Sequence, residues 1–292
     1  MPSLLDFRRR IRSVKNTQQI TRAMKFVAAA RLRRAQEAAI AARPYANELA
    51  RVLRSTMARI EEPQHPLLAK RPEERILAIV LTGERGLAGA FNANILRKAN
   101  EFLRGHRDKK LSLIPVGKKG RDSLKRAGFQ FAAEYINVLA KVEFKTAREI
   151  AKIAADLYAN DEIDAVYLIF SEFKSVMTAN LKVDKLLPVE PEIDEPGTDK
   201  PKEAANQVDY IYEQPEDQLL GALLPKYVEA QLLRAMLESS AAEYAARMAA
   251  MESATRNAGE VIQALTLHMN KVRQAAITKE IIEIVSGASH GA

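Results

Sequence analysis

The sequence predicts a long antiparallel coiled coil, formed by the N- and C-terminal helices of the chain, with a Rossmann-like α/β domain inserted between them. Apolar and small residues repeat at helical spacing through both ends of the chain, and the middle alternates aliphatic strands with helices. An acidic, proline-rich connector follows the last strand. We place the N-terminal helix at residues 1–60, the α/β domain at 74–187, the connector at 188–215 and the C-terminal helix at 216–292.

The C-terminal helix carries the clearest pattern. From Leu219 to Val285 apolar or small residues recur in steps of three and four, with a mean step of about 3.5 residues, which is the coiled-coil period. The positions that form this predicted seam are Leu223, Tyr227, Ala230, Leu233, Leu237, Ala241, Tyr244, Met248, Met251, Ala254, Ala258, Ile262, Leu265, Met269, Val272 and Ala276.

A seam of that length needs a second helix, and the N-terminal stretch from Ser3 to about Arg59 can supply it. Its predicted apolar face consists of Phe7, Ile11, Val14, Ile20, Met24 and Val27. Two helices from opposite ends of the chain are expected to pair antiparallel. Pro44 is expected to bend this helix or to end its first part, because proline removes a helical hydrogen bond.

The middle of the chain has the pattern of an α/β domain. Strands are predicted at Ile76–Thr82, Leu111–Val116, Gln130–Tyr135, Ala165–Phe173 and Lys182–Leu187, and helices at Ala90–Arg104, Lys118–Ala127 and Lys145–Tyr158. Strands that alternate with helices indicate a mostly parallel sheet covered on both faces.

Composition limits the kind of partner. The 292 residues carry a net charge of +8, which favours nucleic acid, an anionic membrane or an acidic protein surface as a partner. Much of this charge lies in the N-terminal helix, where Arg8 to Arg34 contains many basic residues and no acid. An unusually basic solvated face is the simpler alternative. No cysteine is present, so disulfides and cysteine-ligated metals are excluded, and no apolar run is long enough to cross a membrane.

A glycine motif is the strongest candidate for chemistry. Gly83, Gly86 and Gly89 follow a strand and precede a helix, where phosphate-binding loops lie. However, the spacing is GxxGxxG, and neither a ribose-binding acid nor a Gly-Lys-Ser/Thr sequence accompanies it. A tight strand-to-helix turn is therefore the favoured interpretation, with nucleotide binding as the lesser alternative. We expect no catalytic residue, no cofactor and no metal site.

Several long blocks of sequence are similar to one family. They are RSVKNTQQITRAM at 12–24, RGLAGAFN at 85–92, RMAAM at 247–251, ATRNA at 254–258, NKVRQAAITKEI at 270–281 and EIVSGA at 283–288. With these blocks the chain resembles the gamma subunit of bacterial-type F-type ATP synthases over essentially its whole length.

The resemblance implies a function without a catalytic site. Gamma is the central rotating shaft that couples proton flow through the membrane sector to ATP synthesis or hydrolysis at the beta subunits. Its implied partners are the ring of alpha and beta subunits, the epsilon subunit and the membrane c-ring, with one copy per complex, no nucleic acid and no membrane insertion. Such a chain is peripheral on the cytoplasmic face of the bacterial plasma membrane.

The resemblance also implies partner-binding positions. Met24 and Lys25 correspond to positions near the lever loops of beta, and Arg273 and Gln274 to positions near a catch loop higher in the ring. The complete implied set is Met24, Lys25, Arg273, Gln274, Thr278, Ile281, Ile284 and Val285. The family often has Glu where Lys25 stands and Cys where Ala88 stands, and the tail after Ala288 departs from the usual aliphatic ending.

Two other function classes fit parts of the sequence. A basic coiled-coil protein could bind nucleic acid through the charges of the N-terminal helix, but this alternative leaves the C-terminal blocks unexplained and lacks aromatic residues among the charges. An enzyme that uses the α/β domain is the third alternative. Co-purification with alpha and beta subunits would separate the three.

Overall fold

The structure is a computed structural model that describes residues 4–57, 65–176, 178–190 and 216–289, with only the backbone described at 216, 217, 283 and 285–289. Most of the predicted connector, residues 191–215, lies outside the described residues. The chain forms two compact units. The first, here called the tip unit, comprises Met1–Ala30 and Arg247–Ala292, and the second, the sheet unit, comprises Arg31–Ala246.

Two long helices begin and end the described chain. The elements in order are α1 (Leu4–Met57), a 3₁₀ turn (Pro66–Leu68), β1 (Arg75–Leu81), α2 (Phe91–Gly105), β2 (Lys110–Val116), α3 (Lys118–Arg126), α4 (Phe144–Ala159), β3 (Ala165–Phe173), β4 (Ala179–Leu187) and α5 (Glu216–Ser289). Helix α1 has 54 residues and continues through Pro44, so the proline does not end it. Helix α5 has 74 residues. Both lengths agree closely with the periodic patterns in the sequence.

The sheet has four strands in the order β2-β1-β3-β4. Strands β2, β1 and β3 are parallel, and β4 pairs antiparallel with β3. Every residue of β1 from Ile76 to Leu81 is fully buried, because the strand is central and both of its faces are covered. Leu77, Ile79 and Leu81 belong to the core that α4 and α5 cover.

The strand predicted at Gln130–Tyr135 does not form. This segment runs beside the outer edge of β2 but makes only two isolated bridges, Leu113 to Phe131 and Val116 to Tyr135. The reason lies in β2, where Pro115 accepts a hydrogen bond from Tyr135 N but has no N–H to donate in return. A proline at this edge prevents a continuous ladder.

Helix α5 is buried more extensively in the sheet unit than its seam pattern indicates. Each predicted seam position is buried or half-buried, so the seam is confirmed. A second row, Leu224, Val228, Leu232 and Met236, is fully buried in the core of the sheet unit. The helix therefore packs on two faces there, and the single seam accounts for only one of them.

The predicted apolar face of α1 is partly wrong. Phe7 is buried, but Ile20 and Val27 are 60% and 54% exposed. Gln18 and Thr21 occupy the face towards α5 instead, because their polar groups hydrogen-bond to that helix. A search for apolar residues alone does not detect such contacts.

Candidate partner-binding surfaces

In the tip unit, α1 and α5 pair antiparallel. The Phe7 ring lies against the His268 ring with centroids 5.0 Å apart, and Lys25 Nζ lies 2.8 Å from Glu252 Oε1. Residue numbers thus rise along α1 while those of their partners fall along α5. This pairing confirms the predicted arrangement of the two helices.

A small polar layer sets the register of this pair. Thr255 Oγ1 lies 2.8 Å from Thr21 Oγ1, and Gln18 Nε2 donates to the Thr255 carbonyl oxygen at 3.3 Å. Gly259 leaves room for the Gln18 amide, since a Cβ there would lie 3.1 Å from Nε2. Hydrogen bonds require specific distances and directions, so this layer favours one axial alignment of the helices.

Large apolar side chains point outward from the tip unit. The exposed ones are Leu5, Ile20, Phe26 and Val27 on α1, and Val261, Leu267, Ile277, Ile281, Ile282 and Ile284 on α5. Single exposed apolar residues are common on protein surfaces, but many within one small unit indicate a surface that another protein covers.

The same unit is strongly basic on α1. Its exposed cations are Arg8, Arg9, Arg10, Arg12, Lys15 and Arg22. Lys25 differs from them because its ion pair with Glu252 joins the two helices. The hydrogen bond from Lys25 lowers the pKa of Glu252 below its ordinary value. Mixed basic and apolar exposure suits a partner surface that offers both carboxylates and apolar side chains.

The predicted partner-binding residues are mostly exposed. Arg273, Gln274, Thr278, Ile281 and Ile284 lie on the surface of α5. Thr278 Oγ1 donates to the Gln274 carbonyl oxygen one turn earlier, at 3.0 Å.

On α1 the predicted positions are less accessible. Met24 is half-buried, and Lys25 is half-buried and bound to Glu252. At Val285 only the backbone is described. The exposed set on α5 can therefore contact a partner directly, whereas Lys25 can do so only by sharing or losing Glu252.

The glycine motif folds as a turn in which the N–H of its first glycine is already bonded within the chain. Gly83 N donates to Asn92 Oδ1 at 2.8 Å. The carboxylate of Glu84 accepts hydrogen bonds from Lys118 N at 3.1 Å and from Val138 N at 3.2 Å. Glu84 thus occupies the N-terminus of α3, a position that favours an anion.

A second carboxylate lies beside this turn. A Cβ on Gly83 would lie 2.8 Å from the carboxyl carbon of Glu243, which is itself buried. Two acidic side chains at this place would repel a phosphate. The geometry supports the turn interpretation of the three glycines over nucleotide binding.

Buried charges of the α/β domain are paired within the fold. Asp164 is 3% exposed, lies 2.6 Å from Arg75 Nη2 and accepts from Arg75 N at 2.8 Å. The hydrogen bond from the Arg75 side chain lowers the pKa of Asp164. This pair joins the start of β1 to the residue before β3.

A second set of charged and polar side chains is centred on Glu73, two residues before Arg75. Burial alone would raise the pKa of Glu73, but hydrogen bonds from Lys185 and Tyr167 lower it. Burial, together with the bond to Glu73, raises the pKa of Tyr167 to about 12. Glu73 thus joins the segment before β1 to Tyr167 of β3 and Lys185 of β4.

Sequence reasoning did not find a polar segment in the middle of α5. Glu238, Ser239, Ser240, Glu243 and Tyr244 are all buried, and they lie on a helix whose small residues drew attention to the seam. The signal that could have revealed them is the run Glu-Ser-Ser within an otherwise apolar face.

The described residues show neither a metal site nor a membrane span. Among them, no group of three or more histidine, cysteine or acidic side chains could hold a metal ion. No helix in the described part of the chain combines the length and apolar character that a membrane span requires.

Comparison with known proteins first defines the class of protein. The ATP synthase family profile matches residues 3–290, so the two long helices and the inserted sheet are those of an ATP synthase subunit. The ATP synthase gamma chain of Solibacter usitatus is 52% identical over 293 residues, which cover 99% of each chain. That of Pelotomaculum thermopropionicum is 46% identical over 289 residues, again 99% of each. The chain belongs to the gamma-chain family of F-type ATP synthases. The gamma chain forms the central rotor stalk of these complexes.

Solved structures have the same fold. A chain from the rotor of the Euglena gracilis mitochondrial ATP synthase aligns with a TM-score of 0.64 at 21% identity, covering 94% of this chain and 98% of that one. A chain from the central stalk and c-ring of the Tetrahymena thermophila enzyme aligns with a TM-score of 0.59 at 23% identity, covering 80% and 99%. The family assignment confirms the resemblance seen in the sequence and does not support the nucleic-acid alternative.

Proposed function

We propose that this chain turns inside a ring of alpha and beta subunits, and that Arg273, Gln274 and Thr278 of α5 grip the ring in only some angular positions. The observation that carries the proposal is the arrangement of exposed side chains on α5. Ile277, Ile281 and Ile284 are 48%, 55% and 71% exposed, and Arg273 and Gln274 immediately precede them.

The apolar side chains suit a contact that persists during rotation, and the hydrogen-bonding side chains suit a contact that depends on angle. Ile277, Ile281 and Ile284 are spaced by four and three residues, so they share one helix face. Apolar contacts are non-directional, and a row of isoleucines can stay in contact with a smooth ring while the helix turns. Bonds from Arg273 and Gln274 depend on angle, and an arginine fork can hold a carboxylate with two bonds.

The other predicted partner-binding positions contribute less to the proposed contact with the ring. Met24 and Lys25 lie on α1, and Lys25 can exchange Glu252 for an acidic group of beta as the shaft turns, because exposed ion pairs cost little to break. Val285 continues the apolar row by its place in the sequence.

We also propose the remaining partners and the location. The sheet unit binds the epsilon subunit and the membrane c-ring, and one copy of the chain assembles with the other subunits as a hetero-oligomer. The complex places it on the cytoplasmic face of the bacterial plasma membrane as a peripheral subunit, without nucleic acid and without insertion into the membrane. The family assignment supports this arrangement.

The test is the double substitution Arg273→Ala with Gln274→Ala in a complex reconstituted with alpha and beta subunits. Each charge-assisted hydrogen bond contributes about 1.5–3 kcal/mol, so losing one bond that forms only in the transition state should lower turnover by about 10- to 150-fold. The apolar row is kept, and assembly should persist. The matched control is Arg256→Ala with Gln263→Ala, the same residue types at exposed positions earlier on α5. Wild-type turnover in the assembled double mutant, or loss of turnover in the control alone, would contradict the proposal.

A further inference from the structure

The buried polar segment of α5 connects this helix to the backbone of the α/β domain. We define the polar collar as Glu238, Ser239, Ser240 and Tyr244 of α5 together with Arg43 of α1. All of its members lie within the sheet unit, and the four on α5 are buried. Buried polar side chains are costly unless they are hydrogen-bonded, so their partners define what they do.

The first contact is made where the sheet loses a strand. Pairing between β1 and β3 ends at Val80 and Ile169, and β3 continues to Phe173. Beyond this end, Ser171 N donates to Ser239 Oγ at 3.2 Å, and Phe173 N donates to Glu238 Oε2 at 3.1 Å. Side chains of α5 thus take the place of a missing strand.

The second contact reaches a different segment. Ser240 Oγ donates to the Leu139 carbonyl oxygen at 2.9 Å, and the Tyr244 hydroxyl donates to the Ala140 carbonyl oxygen at 3.4 Å. Both acceptors lie between α3 and α4. Helix α5 is therefore held by β3 through one pair of side chains and by this connection through another.

The third contact adds α1. Arg43 Nη2 lies 2.8 Å from Glu238 Oε1 and donates to the Phe173 carbonyl oxygen at 3.3 Å. One carboxylate and one guanidinium therefore join both long helices to the same end of β3.

These contacts restrict rotation of α5 about its own axis. With 3.6 residues per turn, Ser239 and Ser240 point about 100° apart, and they bond to separate segments. Two directional bonds on different sides of a helix oppose its rotation. Apolar packing is non-directional, so the neighbouring buried alanines do not oppose rotation in this way. These alanines are Ala241, Ala242 and Ala245. Simple satisfaction of the β3 backbone explains the bonds of Glu238 and Ser239 and the bond from Arg43 to Phe173. It does not explain the bonds that Ser240 and Tyr244 make to a different segment.

We infer that the polar collar is the joint through which torque passes between the two long helices and the α/β domain. The collar residues are positioning residues, since they lie within the sheet unit and hold the helices at a fixed angle to the sheet. This inference rests on the proposed rotation of the chain inside the ring. It predicts that weakening the collar makes the shaft torsionally softer without changing its contacts with the ring.

The test measures torsional stiffness in a complex of this chain with alpha and beta subunits. Because the chain has no cysteine, Ala93→Cys on the exposed side of α2 gives a single attachment point for a bead. The angular variance of the bead during a catalytic pause is inversely proportional to stiffness. We expect Glu238→Gln to raise this variance at least twofold while the ATPase rate stays within twofold of wild type. The charge-matched control, Glu37→Gln, removes an exposed ion pair within α1 and should leave the variance unchanged.

Ser240→Ala provides a second, milder variant in case Glu238→Gln impairs folding. It removes the hydrogen bond to Leu139 and should raise the variance by a smaller factor. A folded collar variant whose bead shows the wild-type angular variance would overturn the inference. A rise of the same size in the variance of Glu37→Gln would also overturn it. If beads on the wild-type complex fail to rotate while ATP is hydrolysed, the proposed function fails, and this inference fails with it.

Discussion

Replacing Gly117 by alanine should strongly destabilise the sheet unit. Gly117 precedes α3 with φ +104°, a conformation that side chains other than glycine rarely adopt. A Cβ there would lie 1.9 Å from the Thr82 carbonyl oxygen at the end of β1. Thr82 cannot move away cheaply, because its N–H is bonded to Val116 O at 2.8 Å and its hydroxyl accepts from Gly120 N at 2.8 Å.

The expected loss follows from two terms. Backbone strain of this kind costs about 1–3 kcal/mol, and overpacking costs about 1–3 kcal/mol, which together approach the whole stability of many domains. We expect the free energy of unfolding of Gly117→Ala, measured by urea titration with far-UV circular dichroism, to fall by about 2–6 kcal/mol. Gly221→Ala is the control, because no heavy atom lies within 4 Å of its added Cβ. The free energy of unfolding of this helical variant should rise by about 0.5–1 kcal/mol. A Gly117→Ala protein within about 0.5 kcal/mol of wild type would refute the argument.

Arg75 holds the pKa of Asp164 below its ordinary value, so this pair stabilises the fold above about pH 4 and loses its effect as the pH falls through the lowered pKa. Asp164→Asn should therefore cost about 2–3 kcal/mol at neutral pH, and urea titrations should show this difference from wild type shrinking towards pH 3; a difference that stays constant down to pH 3 would contradict the prediction. Ala258→Phe should overpack the helix pair at a cost of about 1–3 kcal/mol, which lowers the melting temperature, and Ala249→Phe at an exposed position should not lower it by a similar amount. The isolated chain should bind no ATP in equilibrium dialysis, and stoichiometric binding would contradict the prediction that the chain has no nucleotide site.

Much of the fold could be predicted because its signals are local and periodic. The existence and great length of α5 follow from a long repeat of apolar and small residues, and β1 follows from a continuous aliphatic run. The errors also have identifiable causes. The apolar pattern places Ile20 and Val27 at the helix interface, but Gln18 and Thr21 hold that interface with hydrogen bonds.

The run Glu-Ser-Ser marks the polar collar in the sequence, but the contacts of the collar could not have been predicted from it. Its acceptors in β3 and at Leu139 and Ala140 are backbone atoms, which leave no pattern in the side chains. Similarly, the strand at Gln130–Tyr135 fails because of Pro115 on the neighbouring strand, and the neighbour becomes known only with the topology. The partner-binding positions on α5 came from the family resemblance, and they stay predictions.

The central claim is that this chain rotates as the shaft of an ATP-driven complex, and rotation can be measured directly. A bead attached at Ala93→Cys in a complex with alpha and beta subunits should turn in one direction when ATP is added and stop when ATP is removed. The rotation rate should rise and fall with the ATPase rate of the same preparation. Sustained ATP hydrolysis by complexes whose attached beads show only random angular motion would contradict the account.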